Sequence, residues 1–251
     1  MERSNFIRRL LFLVSVPKCA CCGAILREED GPLCPDCMKE YENVRMINCS
    51  ACSRVLSRCT CTNRLLDRSY VRKLIKVYRY KPSARLLPSN ELIYRLKRNN
   101  RRDVVEFLAD ELAGAIRSGI PDLTGYMLTS VPRRAKSVVQ YGYDHARELA
   151  RAVARRLSLS YASLLRSGAK KAQKKLSAGE RIENAACFPR LGARLRAKKV
   201  ILIDDIVTSG ASMAAAATAL HRLGAQKIVG AAIAIAYKES AVVRHTPPAK
   251  M

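Results

Sequence analysis

The chain has 251 residues, enough for one domain of ordinary size and a small additional module. With 49% apolar residues a hydrophobic core can form, but no apolar run approaches the ~20 residues of a membrane-spanning helix. The 46 Lys and Arg residues against 21 Asp and Glu give a net charge of +25. This excess favours nucleic acid, an anionic membrane or a phosphorylated small molecule as partner, unless it only forms a solvated basic surface.

The N-terminus has a basic start and a short apolar stretch over residues 10–16, which is the shape of a signal peptide. The stretch is at the lower length limit, and no small-x-small cleavage site follows it. We therefore expect a short helix packed on the next module, and a cytoplasmic protein.

Nine of the ten cysteines lie within residues 19–61, mostly as CxxC pairs. This spacing suits zinc-binding thiolates better than disulfides or reduced structural cysteines, and eight ligands suit two tetrahedral sites of structural role. The pairing is sequential or interleaved; we favour sequential. Cys21 could replace a neighbouring ligand, but we interpret it as the spare cysteine. The predicted zinc ligands are Cys19, Cys22, Cys34, Cys37, Cys49, Cys52, Cys59 and Cys61.

The middle of the chain predicts alternating helices and strands. Residues 63–100 are basic and mixed, with strand-like positions, and we interpret them as a connector. Helical spacing begins at residue 101 and recurs over residues 143–157, and a buried strand is predicted over residues 126–131. Residues 166–184 are polar and basic, which predicts a long mobile loop.

The clearest unit is a strand, a loop, a helix and a further strand over residues 199–236. Continuous apolar runs in both strands predict a parallel sheet flanked by helices, so the fold class is α/β. The predicted domains are a Cys-rich zinc module (1–62), a basic connector (63–100), an α/β domain (101–237) and a loose tail (238–251).

The chemistry is expected where the first of these strands ends. Asp204 and Asp205 can accept hydrogen bonds from two vicinal hydroxyls, and the next helix offers unpaired N–H groups that suit a phosphate. A ribose 5-phosphate has both groups. The segment is too close to the C-terminus for the acidic pocket of a receiver domain, and a strand end without ligand explains the hydroxyl-rich loop poorly. The loop residues are Thr208, Ser209, Gly210, Ala211 and Ser212.

The segment VILIDDIVTSGAS resembles the phosphoribosyl-diphosphate signature of type I phosphoribosyltransferases. The Cys pairs, the basic connector and the run from Gln173 through Leu176 and Ser177 to Arg181 and Asn184 resemble the ComF family of competence-associated proteins. The family usually shows an Arg-Gly-Phe-Asn-like stretch after the strand at 126–131. This chain has Tyr141-Gly142-Tyr143-Asp144, so contacts from that loop differ.

The resemblance implies a type I phosphoribosyltransferase-like domain behind a zinc-ribbon module, a site for phosphoribosyl diphosphate with Mg²⁺, and catalytic roles for Asp204 and Asp205. It also implies basic residues around the leaving pyrophosphate. No residue stands out as a base for the nucleophile, and none of the three histidines is interpreted as a ligand. The basic residues are Arg133, Arg134, Lys175 and Arg181.

Two functions follow from these patterns. The first is a Mg²⁺-dependent phosphoribosyltransferase with an unidentified acceptor, linked to competence and DNA uptake. The second is a non-catalytic accessory protein that binds single-stranded DNA and retains the transferase fold as a scaffold or sensor. The few aromatic residues (6%) speak against a platform for base stacking. A homodimer is compatible with both, because type I transferases often dimerise.

Overall fold

The computed structural model describes residues 16–81, 87–98, 101–135, 138–139, 142–168, 185–236 and 242–243. Helices and strands alternate through most of this range. In chain order they are α1 (Pro35–Arg45), a 3-10 turn (Leu56–Arg58), β1 (Thr62–Asn63), α2 (Arg64–Asp67), β2 (Val71–Arg79), α3 (Pro88–Arg98), α4 (Arg102–Gly119), β3 (Tyr126–Ser130), α5 (His145–Leu157), β4 (Leu165–Ser167), β5 (Cys187–Pro189), β6 (Lys199–Val207), α6 (Ala211–Arg222), β7 (Lys227–Ile235) and β8 (Val242–Val243).

The centre of the fold is a four-stranded sheet in the order β2-β7-β6-β3, and every neighbouring pair is parallel. Strands β6 and β7 are the two middle strands and are buried along almost their whole length. This burial agrees with their continuous apolar sequences, because a strand covered on both faces has no polar side. The predicted α/β class and the parallel sheet flanked by helices are confirmed.

Two hydrophobic cores lie on the two faces of the sheet. One core contains residues of α3, α4 and α5 together with three of the first five cysteines: Cys19, Cys34 and Cys37. The other contains residues of α6 and α2 together with Cys49, Cys59 and Cys61. The N-terminal cysteine-rich segment is therefore divided between the two faces, and each half shares a core with the sheet. The proposed domain boundary at residue 62 stays a prediction.

Helix α6 packs very close to the sheet because small residues line the contact. Six of its twelve residues are alanines, and Gly230 of β7 lies beneath Met213. A Cβ atom at Gly230 would lie 2.6 Å from Met213 Sδ, which is inside van der Waals contact. The small side chains thus set the distance between α6 and the sheet, and hence the position of the loop that precedes the helix.

Two segments have more structure than their sequences predict. The segment interpreted as a connector supplies α3 and also β2, which forms an edge of the central sheet. In the predicted tail, Val242 and Val243 pair with β1 as an antiparallel strand. The predicted loop over residues 166–184 begins inside β4, and residues 169–184 lie outside the described part, as do residues 10–15 of the predicted N-terminal helix.

None of the helices in the described ranges combines the length and apolar character needed to cross a membrane.

Candidate functional site

Helix α6 begins at a loop of small and hydroxyl residues, which we call the β6–α6 loop (residues 208–212). Its Gly210 is the N-cap residue, has φ +86°, and provides no side-chain cap for the helix. A helix start leaves its first N–H groups without partners inside the helix, and these groups attract anions. The predicted strand–loop–helix geometry is confirmed, with the difference that β6 extends to Val207, so the two aspartates lie within the strand.

Gly210 is required by its surroundings as well as by its backbone angle. A Cβ atom there would lie 2.9 Å from Leu66 Cγ and 3.3 Å from Asn63 Nδ2. Asn63 belongs to β1 and Leu66 belongs to α2. These two elements directly follow Cys61, the last cysteine of the Cys-rich segment. The loop therefore rests on the segment that joins the cysteines to the sheet.

Asp205 is buried in an ionic cluster. Its Oδ2 atom lies 2.6 Å from His145 Nε2 and 3.1 Å from Lys97 Nζ, and its Oδ1 atom accepts the N–H of Ile206 at 2.6 Å. Burial raises the pKa of Asp205, but the charge of Lys97 and the contact with His145 outweigh it and hold that pKa well below its usual range. Both carboxylate oxygens of Asp205 thus have partners within the protein.

The pKa of Asp204 is shifted in the opposite direction from that of Asp205. Its side chain is partly buried, and Oδ1 accepts the N–H of Asp205 at 2.9 Å. Burial and the negative charge of Asp205 raise the pKa of Asp204 well above its usual range. Adjacent residues of a strand point to opposite faces of the sheet, which explains why the two carboxyl groups have different neighbours. The pair is therefore one buried anion beside one carboxyl group that resists ionisation.

The cluster includes two residues that the sequence patterns did not indicate. His145 is the first residue of α5 and is only 4% exposed, and Lys97 lies near the end of α3. The hydroxyl of Tyr143 donates to the carbonyl of Leu96 and so joins the ends of these two helices. The one local signal was Asp144, a good N-cap residue, which accepts the N–H of Arg147 and places His145 in the first turn of a helix.

Arg133 and Arg134 lie at the same edge of the sheet as Asp204. They follow β3, which pairs with β6 so that Ser130 lies opposite Ile203, and Val131 continues this pairing by donating to the carbonyl of Ile203 at 2.8 Å. Both arginines are partly exposed. Lys175 and Arg181, the other two predicted pyrophosphate contacts, lie outside the described residues.

The cysteines form two separate groups of four. One consists of Cys19, Cys22, Cys34 and Cys37, and the other of Cys49, Cys52, Cys59 and Cys61; within each group the sulfur atoms lie within 4.8 Å of one another. The grouping is sequential, and Cys21 belongs to neither group. Sulfur atoms around a tetrahedral zinc ion with ~2.3 Å bonds lie ~3.8 Å apart, and Cys22 Sγ and Cys34 Sγ are 3.7 Å apart. Both groups fit zinc.

Backbone donors favour the thiolate form of one ligand of the first group, Cys19. The Sγ atom of Cys19 accepts the N–H groups of Cys21 and Cys34, each at 3.4 Å. Burial raises the pKa of the Cys19 thiol, but the backbone N–H groups of Cys34, Cys22 and Cys21 outweigh it and lower that pKa to about 7. A lowered thiol pKa favours the thiolate, which is the form that binds metal.

Comparison with known proteins agrees with this geometry. The family model described as the phosphoribosyl transferase domain matches residues 144–250, which include His145, both aspartates and the β6–α6 loop. No curated protein matches the chain. The ComF assignment, which rests on the cysteines and on the Gln173–Asn184 run, stays a prediction. With its parallel sheet, its helix-flanked core and this match, the chain has a type I phosphoribosyltransferase fold, preceded by cysteine clusters that fit a zinc-ribbon module.

Proposed function

We propose that this protein binds phosphoribosyl diphosphate with Mg²⁺ at the β6–α6 loop and transfers its phosphoribosyl group to an acceptor. The observation that carries the proposal is the loop itself. Helix α6 begins at Gly210, which has no side chain to cap it, directly after β6, the strand of the parallel sheet that carries Asp204. In open α/β sheets, ligands bind at the carboxyl ends of the strands.

The two ends of a ribose phosphate match this arrangement. The N–H groups at the start of α6 and the hydroxyls of Thr208 and Ser209 suit the 5-phosphate. Asp204 is partly exposed and suits the ribose hydroxyls as an acceptor. Asp205 already has partners for both oxygens, so it acts as a fixed negative charge that holds Lys97 and His145 at the site.

The proposed reaction needs charge stabilisation more than covalent chemistry. The bond from the ribose C1 atom to the diphosphate breaks, the diphosphate leaves with the electron pair, and a lone pair of the acceptor forms the new bond to C1. Positive charge develops on the ribose, where the negative charge of the aspartates favours it. Arg133 and Arg134 attract the leaving diphosphate. Mg²⁺ bound together with the diphosphate would neutralise part of that charge.

Calorimetric titration tests the proposal. Phosphoribosyl diphosphate is titrated into the zinc-loaded protein with and without Mg²⁺, and into the Asp204→Asn/Asp205→Asn double mutant. We expect micromolar binding that requires Mg²⁺ and is lost in the mutant, with circular dichroism showing that the mutant is folded. Absence of binding to the unmodified protein would contradict the proposal and would make the second candidate below the leading one.

The finer assignments belong to the same proposal. Cysteine groups shaped for zinc suit a reducing compartment, which supports a cytoplasmic location. The resemblance to ComF proteins supports a role in competence and DNA uptake. A homodimer is proposed only by analogy with type I transferases, and sedimentation of the zinc-loaded protein tests it.

A second candidate, binding of single-stranded DNA, is favoured by one surface. The ring of Tyr70 is 45% exposed and stacks on His221 with 3.9 Å between ring centroids. Exposed basic residues surround it in sequence, so a phosphate backbone and a stacked base could bind together. These residues are Arg54, Arg58, Arg64, Arg68, Arg72 and Lys73.

Fluorescence anisotropy with a single-stranded oligonucleotide tests this candidate. Affinity should fall steeply with salt, and Tyr70→Ala should weaken it by about 1–3 kcal/mol. The control is Tyr94→Ala, since Tyr94 is 46% exposed but lies on α3. Equal losses in both variants, or affinity independent of salt, would remove the candidate.

A further inference from the structure

Asn63 connects the second cysteine group to the β6–α6 loop. It is 4% exposed and lies two residues after Cys61, the last cysteine of that group. Its Nδ2 atom donates to the carbonyl of Ser209 at 2.9 Å, and its Oδ1 atom accepts the N–H of Leu66 at 2.9 Å. One amide side chain therefore caps α2 and at the same time holds the loop.

The bond to Ser209 fixes the orientation of a donor in the loop. The carbonyl of Ser209 and the N–H of Gly210 belong to one planar trans peptide unit, in which the two groups point in opposite directions. With the carbonyl held by Asn63, the N–H of Gly210 points away from Asn63. Leu66 limits the loop from the same side, because it leaves no room for a Cβ atom on Gly210. The peptide cannot turn over without losing the Asn63 bond.

The second cysteine group is tied to the sheet by a buried lysine. Lys76 of β2 is 1% exposed, and its Nζ atom donates to the carbonyls of Cys61 and Leu74. Cys61, Asn63 and the loop all pack within or beside the core that contains α6. The first cysteine group packs in the core on the other face of the sheet. Metal at the second group thus has a short route to the loop, through Cys61 and Asn63.

We propose that Asn63 is a positioning residue for the β6–α6 loop, and that through it the second cysteine group, and not the first, supports binding of a phosphorylated ligand. The inference rests on the proposed function for the identity of that ligand. Zinc at this group would then support the ligand-binding site, because its ligand Cys61 fixes the backbone from which Asn63 reaches Ser209.

Substitutions that separate the two bonds of Asn63 test the first part. Asn63→Asp retains the oxygen that caps α2 but replaces the donor with an acceptor facing the Ser209 carbonyl, whereas Asn63→Ala removes both bonds. The control is Tyr41→Phe, which removes the partly buried hydrogen bond from Tyr41 Oη to Glu111 at 3.0 Å, on the face of the sheet where the first cysteine group packs. Each full-length, zinc-loaded variant is titrated with phosphoribosyl diphosphate and Mg²⁺, and amide hydrogen exchange of residues 208–212 is measured without ligand.

Asn63→Asp is expected to raise the dissociation constant about 5- to 30-fold and to speed exchange in the loop about tenfold, while Tyr41→Phe changes neither by more than about twofold. Exchange in the loop that is unchanged in Asn63→Asp overturns the inference. Because exchange is measured on the ligand-free protein, a protein that binds no phosphoribosyl diphosphate contradicts the proposed function without deciding the role of Asn63.

A matched pair of cysteine variants tests the second part. Cys22 and Cys52 are the least buried ligands of their groups, so Cys22→Ser and Cys52→Ser weaken one metal site each with the least damage to packing. Cys52→Ser should speed exchange in residues 208–212, and Cys22→Ser should not. Equal effects of the two variants on the loop would overturn the proposed link. If Cys52→Ser does not fold, the Asn63 variants still test the positioning role.

Discussion

The ion pair between Lys97 and Asp205 offers the sharpest test of the cluster at the sheet edge. At 3.1 Å, two unit charges attract each other by ~5 kcal/mol at an effective dielectric constant of 20. The desolvation of both groups offsets part of this attraction, and the Lys97 side chain is 30% exposed. We therefore expect Lys97→Met to lower the free energy of unfolding by about 2–3 kcal/mol at pH 7, chiefly because it leaves a buried carboxylate with one partner fewer.

A double-mutant cycle measures the pair itself. Urea unfolding of the unmodified protein, Lys97→Met, Asp205→Asn and the double variant should give a coupling energy of about 1–3 kcal/mol at pH 7. The pKa of Asp205 is lowered in the folded state, so its contribution is fully present above the unfolded pKa of ~3.9 and is lost as the pH falls through the folded pKa. The coupling energy should therefore shrink in acid. Effects of acid on the cysteines are common to all four proteins and cancel. A coupling energy below about 0.5 kcal/mol at pH 7, or one that does not change with pH, would refute the pair.

Three further predictions concern the neighbouring residues. The pKa of Asp204 is raised in the folded protein, so ionisation of Asp204 destabilises the fold as the pH rises above the unfolded pKa. Asp204→Asn should therefore raise the melting temperature at pH 7 and yet weaken binding of phosphoribosyl diphosphate. A lower melting temperature of this variant would contradict the prediction. Gly210→Ala should lower the free energy of unfolding by about 1–3 kcal/mol, because the φ of this residue is +86° and the added Cβ would lie 2.9 Å from Leu66 Cγ. Adding Leu66→Ala should recover the part of this loss that comes from the steric clash. Urea unfolding of both variants measures these effects. Colorimetric titration of released metal should find two zinc ions per chain, and still two in Cys21→Ser, since Cys21 belongs to neither group of four.

The unit of β6, the β6–α6 loop, α6 and β7 was predictable because its signals are local. Apolar runs mark the two strands, alanines mark the helix, and Gly210 and Gly224 mark its two ends. Spacing of this kind needs no knowledge of distant residues. The pairing of cysteines was likewise favoured correctly, since neighbouring pairs in sequence can reach one metal on a short chain.

The sequence of β2 shows strand-like positions, but its place in the central sheet was not predicted because the segment looks polar and basic. It lies at the edge of the sheet, where Arg72 and Lys73 are exposed, and Lys76 is buried only because its Nζ atom donates hydrogen bonds to the carbonyls of Cys61 and Leu74. A buried, hydrogen-bonded lysine is indistinguishable from a surface lysine in the sequence. Basic composition therefore suggested a connector where the fold has a strand.

The partners of Asp205 could not be inferred either, since they come from two helices that are distant from it in sequence. Lys97 lies in α3 and His145 in α5, and only packing on the same face of the sheet brings them to one carboxylate oxygen. The three histidines are scattered along the sequence, and such spacing says nothing about contacts across the fold. Sequence spacing finds a site that is built on one loop, and misses the residues that other elements add to it.

These added residues change how the acidic pair works. Two adjacent aspartates suggested equal roles toward a diol, but Asp205 already uses both oxygens, and a ribose hydroxyl could reach it only by displacing Lys97, His145 or the N–H of Ile206. Displacing Lys97 would forfeit the coupling estimated above. Asp204 has no such obstacle, and its reluctance to ionise is relieved by hydroxyl donors or by positive charge on the ribose. Binding and charge development would thus favour the same carboxylate form, so Asp204 gains stabilisation as the reaction proceeds, whereas Asp205 holds Lys97 and His145 in place throughout.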